Sequence, residues 1–245
     1  MKNFLQEAIK KNKYYKASDV TDAINLFNEI IAEHKVYKPF AMGNLKLTSG
    51  CLVFDLPSII TCKYACKGCY ALKAEMIYKN VRVKRLLNFI VINEILSNTE
   101  NKNFLLSIFN DILKKYSKVF RFPIVRIHSS GDFFSKDYFN FWLEFVEKFK
   151  TIKFYTYTKQ LDNDEIDEIN SKYKNFNIVK SLINLDGKKY LNFGSLEEIT
   201  DLKNRLLASG QEAFICNYGI KENVEACMDS CKKCLNCANI LFKKH

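Results

Sequence analysis

Cys62, Cys66 and Cys69, in the run CKYACKGC, are the residues of this sequence best suited to carry chemistry. With nine cysteines in 245 residues, chance would produce a CxxxCxxC spacing roughly 0.01 times per chain, so the spacing points to ligation. Three thiolates on one short loop can hold three irons of a cubane cluster and leave the fourth iron open to a ligand from outside the protein. An open metal position is where reactions take place, as at catalytic zinc sites that keep one coordination place free. A second group, Cys227, Cys231, Cys234 and Cys237, is preceded by Cys216. Two readings of it compete: a 4Fe–4S cluster, or a zinc site, which more often uses two CxxC-type pairs separated by a longer loop. Five cysteines for four positions leave one over, and the spare is either Cys216 or one of the later four. Cys51, inside the apolar run GCLVFDL, reads as a small buried hydrophobe.

The elements that must position these residues alternate between helix and strand. Ser18 is placed to cap a helix whose apolar positions Val20, Ala23, Ile24, Phe27, Ile30 and Ile31 follow the helical period. GCLVFDL, closed by Pro57, predicts a buried strand just before the first cysteine group. Helical patterns run from about Ala71 to Asn98 and from about Phe104 to Tyr116. FPIVRI predicts a strand, after which Ser135 caps a helix with Tyr138, Phe139, Trp142, Phe145, Val146 and Phe149 on one stripe. IKFYTYT, FNIVKSLI and QEAFIC predict further strands, with a short helix over NDEIDEINSKY. Ser195-Leu196-Glu197-Glu198 is a capping box for a helix that Gly210 ends. Alternation of this kind implies an α/β fold with a mainly parallel sheet, and about five βα units fall short of the eight of a complete barrel. Three segments are expected: a helical one over residues 1–42, the βα part over 43–215, and a Cys-rich appendage over 216–245 that needs a metal or cluster to hold it.

Composition narrows the classes. At 48% hydrophobic residues the chain has ample material for a core, which excludes a disordered protein. No apolar stretch reaches the length of a signal peptide or a membrane span, so neither export nor membrane association is expected. The odd, clustered cysteines then fit a reducing cytoplasm better than a disulfide scaffold. The net charge of +11 favours an anionic substrate, such as RNA, a nucleotide or an acidic protein, only through long-range attraction. Lys and Arg are scattered, and the dense runs KKNKYYK and VRVKR read as a solvated surface before they read as a nucleic-acid motif.

The sequence resembles a known superfamily. CxxxCxxC on the loop after the first strand is similar to the signature of radical S-adenosylmethionine enzymes, whose fold is a partial βα barrel. The next βα strand ends in His128-Ser129-Ser130-Gly131-Asp132, where that superfamily has a Gly-rich turn holding the methionine amino group. More narrowly, ITCKYACKGCYALK, RIHSSGDFFSKDYFNFW, FYTYTK and the Cys-rich end together resemble the phage-encoded gene product 88 family, from about Gly43 to the C-terminus. Two positions depart from the superfamily pattern: Gly68 stands where an aromatic residue usually precedes the third cysteine, and the turn lacks a Glu-Pro ending.

The resemblance implies a 4Fe–4S cluster on Cys62, Cys66 and Cys69 whose open iron chelates S-adenosylmethionine. A one-electron reductant from the cell then drives cleavage to methionine and a 5′-deoxyadenosyl radical, which attacks an unidentified substrate. Ser129, Ser130, Gly131 and Asp132 are the expected cofactor contacts, joined by Tyr157, which alternates with Tyr155 and Lys159 near another strand end. The same turn also reads as a plain strand-to-helix connection, the tyrosines as packing, and His128 as a hydrogen-bonded core histidine. Arg126 faces away from its strand neighbours, as a buried or pocket-facing charge. The tail group, Cys216, Cys227, Cys231, Cys234 and Cys237, holds a second 4Fe–4S cluster or zinc. Two other function classes compete: a zinc or iron–sulfur protein that binds nucleic acid, and a non-catalytic electron carrier or redox sensor.

Overall fold

Asp19 decides where the first helix starts. In the computed structural model, which describes residues 15–43, 51–64, 69–216 and 235–243, helix α1 spans Ala17–Glu33 with Lys16 as its N-cap. The Lys16 backbone N–H donates to the Asp19 carboxylate at 2.9 Å, so an acid in the first turn sets the start and Ser18 does not. Strand β1 (Phe40–Met42) and strand β2 (Cys51–Phe54) follow, and every residue of β2 is buried, as its unbroken apolar run predicts. A one-turn helix α2 (Ser58–Thr61) leads into the first cysteine group.

The helical stretch expected over 71–98 is two helices, α3 (Tyr70–Ile77) and α4 (Lys79–Leu96). Tyr78, at φ −109° and ψ 113°, ends one and begins the other. The break has a chemical counterpart, because Arg82 of α4 donates to the Glu75 carbonyl at 2.7 Å. That carbonyl belongs to the last turn of α3, where no helical N–H remains to satisfy it.

Helix α5 (Lys102–Val119), strand β3 (Ile124–Ile127), helix α6 (Lys136–Lys148), strand β4 (Lys153–Thr158), helix α7 (Asn163–Lys172) and strand β5 (Phe176–Lys180) continue the alternation. Ser135 caps α6 as expected, accepting from the Tyr138 N–H at 3.1 Å. The strand expected over FNIVKSLI is cut at Ser181. Leu182–Leu185 (β6) turns back on Lys188–Leu191 (β7) as an antiparallel hairpin. Asp186 and Gly187 both have positive φ, 50° and 72°, which is the geometry an Asp-Gly pair confers on a two-residue hairpin turn. Strand β8 (Phe193–Gly194), helix α8 (Leu196–Ala208) with its Ser195/Glu198 capping box, strand β9 (Phe214–Ile215) and strand β10 (Ile240–Lys243) complete the described chain.

The architecture is α/β. A five-stranded sheet has the order β1-β2-β3-β4-β5, with β3, β4 and β5 parallel and Val125, Phe154 and Phe176 in register. A three-stranded sheet places β10 between β8 and β9, parallel to both, so the end of the Cys-rich segment is a structural strand. Among the described residues no helix is long and apolar enough to cross a membrane.

Contacts divide the chain into two units. The first takes the described parts of Met1–Ala41, Phe54–Val119 and His128–Phe145. Its core is aromatic: Phe54 meets Trp142 at 5.2 Å and Phe109 meets Phe141 at 5.6 Å, both edge-on. Phe54, Phe109 and Trp142 are completely buried or nearly so, and each such ring contributes about 2–3 kcal/mol by leaving water. The second unit takes the described parts of Met42–Val53, Phe120–Ile127 and Val146–His245. Its core gathers Cys51, Val53, Tyr155, Val179, Cys216, Cys237 and Ile240.

Candidate cofactor site

The described residues that frame the first cysteine group lie in the first unit. β2 ends at Phe54, and Asp55 follows it at once. The Asp55 carboxylate accepts from the Ser129 N–H at 2.7 Å, the Ser130 N–H at 2.9 Å and the Ser129 hydroxyl at 2.8 Å. A single acid therefore organises the turn after β3. The Phe54 carbonyl accepts from the His128 N–H at 2.9 Å, and the Ser130 carbonyl from the Leu56 N–H at 3.0 Å, which fastens the segment after β2 to the same turn.

Behind this lies a buried chain of charges. Glu75, on α3 and wholly buried, accepts from the Ser58 N–H at 2.9 Å, the Ser58 hydroxyl at 2.7 Å and Arg85 at 2.8 Å. Arg85 continues to the Ala71 carbonyl at 3.0 Å and to Asp55 at 3.4 Å. Arg82 pairs with the fully buried Asp19 at 2.7 Å. Asn88 joins the Tyr37 hydroxyl at 2.8 Å to the carbonyls of Pro39 and Asp55. Lys84, on the same helix, is pushed down to about 8 by burial first and then by the neighbouring Lys38, with the Asp55 carboxylate opposing.

These contacts hold the ends of the cysteine loop. Ser58 begins α2, whose C-cap is Cys62, and Cys69 is the N-cap of α3, which carries Glu75. Cys62 and Cys69 are both half-buried and neither is in a disulfide. The Cys62 thiol lies 3.6 Å from the Tyr64 carbonyl. Cys66, Cys227, Cys231 and Cys234 lie outside the described residues. Among the described residues no three His, Cys, Asp or Glu side chains converge to hold a metal ion. The two described loop thiols are soft, half-exposed donors, a chemistry that suits iron–sulfur or zinc.

The Ser129–Asp132 turn is tightly built. Gly131 has φ +88°, and a Cβ there would stand 2.6 Å from the Thr61 hydroxyl and 2.8 Å from the Leu56 side chain. Only glycine lets α2 and the turn approach this closely. The Asp132 carboxylate accepts from the Phe133 N–H at 2.8 Å, and the Asp132 N–H donates to Thr61 at 3.3 Å. His128 is buried with its Nε2 2.7 Å from the Tyr138 hydroxyl and its ring 4.9 Å from Phe133, as a core histidine should be. Burial pushes the Tyr138 phenol well above its usual range, so it stays a neutral partner. His128 also has φ +67°, a conformation uncommon outside glycine.

The remaining expected residues belong to the second unit. Tyr157, on β4, has the Arg126 guanidinium 5.1 Å from its ring centroid and Phe242 at 5.7 Å. Arg126 also lies 6.0 Å from the Tyr155 ring, so the strand's charge is stacked on its aromatics. Cys51 is buried as predicted, and burial pushes its thiol up to about 11 against the opposing pull of Arg126. Cys216 and Cys237 sit in the same apolar cluster, with the Cys237 thiol 3.6 Å from the Asn239 carbonyl.

Sequence reading missed Asp55, Glu75, Arg82 and Arg85. The run VRVKR read as a solvated surface, yet Arg82 and Arg85 are each 6% exposed. A signal was present: both arginines sit in α4 among Val83, Leu86 and Leu87, and charges embedded in an apolar helix face need buried partners.

A family model described as Gene product 88 matches residues 24–235. None of the curated proteins and none of the solved structures matches the chain. With most of its length matched, and the cysteine loop, the Ser-Ser-Gly-Asp turn and β4 all inside the matched span, the chain belongs to the gene product 88 family.

Proposed function

We propose that this chain is an iron–sulfur enzyme of the radical S-adenosylmethionine type, built on a partial βα barrel, with Cys62, Cys66 and Cys69 as ligands of an open cluster. The observation that carries this reading is the Ser58–Glu75–Arg85–Asp55 chain, buried but for Asp55 at its end, which ties both ends of the cysteine loop to the turn after β3. When bound, a 4Fe–4S cluster with one open iron supplies the electron that splits the sulfonium of S-adenosylmethionine. The protein's part is to hold and orient. The Ser129 and Ser130 amides are taken up by Asp55 and, being donors, do not suit an ammonium. Asp55, whose side chain keeps 22% exposure, is the group here that supplies negative charge to one. Gly131 keeps the turn close to α2, and Asp132 fixes its own exit through the Phe133 N–H. In the Cys-rich segment, Cys216, Cys227, Cys231, Cys234 and Cys237 supply the ligands for a second cluster or zinc. A reducing cytoplasm and a one-electron reductant complete the scheme.

The test is anaerobic purification with iron and sulfide counted per chain, followed by reductant, S-adenosylmethionine and an assay for 5′-deoxyadenosine. Sulfide-containing protein that releases the nucleoside supports the reading. Zinc without sulfide, or intact S-adenosylmethionine beside a well-formed cluster, refutes it and leaves a zinc or iron–sulfur binding protein or an electron carrier.

A further inference from the structure

The second unit carries a lysine-lined cleft that the cysteine chemistry does not use. It is an open depression of about 300 Å³ lined by Lys150, Lys153, Lys172, Tyr173, Lys174 and Asn175. The topology assembles it. α6 and α7 each run into a strand of the same parallel pair, β4 and β5, which come into register near their starts at Phe154 and Phe176. The α6–β4 and α7–β5 connections therefore lie side by side, and each brings two lysines.

The floor of the cleft is buried and hydrogen-bonded. Asn175 donates to the carbonyls of Val146, Phe149 and Ile152 at 2.9, 3.3 and 3.3 Å, locking one connection to the other. Tyr173 is buried, and its hydroxyl donates to Glu147 at 2.7 Å. Lys150 and Lys172 hold their ammonium groups 5.7 and 5.1 Å from the Tyr173 ring centroid. Lys153 donates to the Lys174 carbonyl at 2.5 Å. All four lysines are exposed, and no carboxylate is among the lining residues.

We infer that this cleft binds the phosphate backbone of a nucleic acid. Helix C-termini are weakly negative, and lysines in a last turn offset that. Lys150, Lys153 and Lys174 lie beyond the helices and exceed this need. The cleft has no arginine among its lining residues and is flanked by helix C-termini, not N-termini, so it lacks the fixed donor sets that grip one small phosphate. Ammonium groups on long stems act as point charges and suit a continuous polyanion whose position along the groove is not fixed. The net charge of +11 supports its capture at a distance. The inference rests on the cleft alone and does not depend on the cluster reading.

The experiment measures binding of a fluorescein-labelled oligothymidylate of about 20 nucleotides to the full chain over a salt series. Its subject is the variant Lys150→Gln, Lys172→Gln, Lys174→Gln. A control with equal charge loss, Lys114→Gln, Lys115→Gln, Lys118→Gln, alters three exposed lysines of α5. Each phosphate contact to a single strand contributes about 0.7 to the log–log salt slope, so losing three flattens the slope by about 2 and weakens binding roughly 100-fold at 0.1 M salt. The control should keep its slope and lose only a few-fold. Equal loss in both variants would mean that overall charge alone drives binding, and the cleft assignment falls. It also falls if the wild-type chain does not bind the strand, or if inorganic pyrophosphate binds the cleft and the strand does not. Circular dichroism of both variants checks that they fold.

Discussion

Replacing Arg85 by Met keeps most of the side-chain volume and deletes the charge that Glu75 and Asp55 share. The Arg85 side chain is 7% exposed and that of Glu75 0%, with 2.8 Å between their charged atoms, whereas Asp55 keeps 22% exposure and stands at 3.4 Å. Two unit charges about 4 Å apart attract by about 4 kcal/mol at an effective dielectric of about 20, and the partly exposed Asp55 contributes the smaller share. Removing one partner of a buried pair leaves the other charge without compensation, at a cost of about 3–5 kcal/mol. Arg85→Met is therefore expected to lower the unfolding free energy by about 3–5 kcal/mol, measured from urea midpoints at constant m-value. Glu75→Gln should cost a similar amount, since it also loosens Ser58. The double variant should cost less than the two together, with a coupling of about 1–3 kcal/mol, because once one charge is gone the other has no partner to lose. A single-variant loss below about 1 kcal/mol, or costs that add to within about 0.5 kcal/mol, would refute the view that this pair holds the cysteine loop.

Gly131→Ala should destabilise by about 2 kcal/mol more than Gly187→Ala in thermal or urea unfolding, since both positions have positive φ but only the first would drive a Cβ into Thr61 and Leu56. Equal losses would mean that the close approach to α2 contributes nothing. The Cys51 thiol, raised from its ordinary 9.0 to about 11, binds its proton more tightly folded than unfolded. Its contribution is thus complete below pH 9 and lost as the pH rises to 11. Cys51→Ala should show a shallower fall of stability over that window than the wild type, and parallel curves would contradict the burial argument. If the proposed clusters form, Cys66→Ala is expected to abolish metal binding by the first cysteine group and to leave that of the C-terminal segment, as read by metal analysis. Loss of both together would mean that the two groups form one site or one folding unit.

Most of the strands and helices could be read from periodicity. The buried run CLVF, the capped stripe of α6 and the Ser195/Glu198 box all behave as their residues demand, because each depends on contacts within a few positions. The misreadings have local causes too. The Asp186-Gly187 turn signal was overlooked inside a run read as one strand. The break at Tyr78 carries no Gly or Pro, and its compensation comes from Arg82, four residues on, with Asp19 on the other side of that arginine. His128 was legible as a core residue, but its pairing with Tyr138 depends on a helix ten residues away coming back over the strand end.

The candidate cysteine ligands and most of the order of elements are legible in the chain alone. Thiol spacing is a covalent fact about the chain, and an alternation of apolar periods near two and near 3.6 follows from backbone geometry. Which charged residues matter emerges only once the helices pack. Asp19, Glu75, Arg82 and Arg85 stand on helices whose local pattern cannot say whether a charge meets water or another charge. Burial makes that choice decisive, because an unpaired ion in the interior is too costly to tolerate while a paired one orders everything it touches. Asp55 likewise draws its role from Ser129 and Ser130, seventy-odd positions away, through hydrogen bonds that form only when β2 and β3 come together.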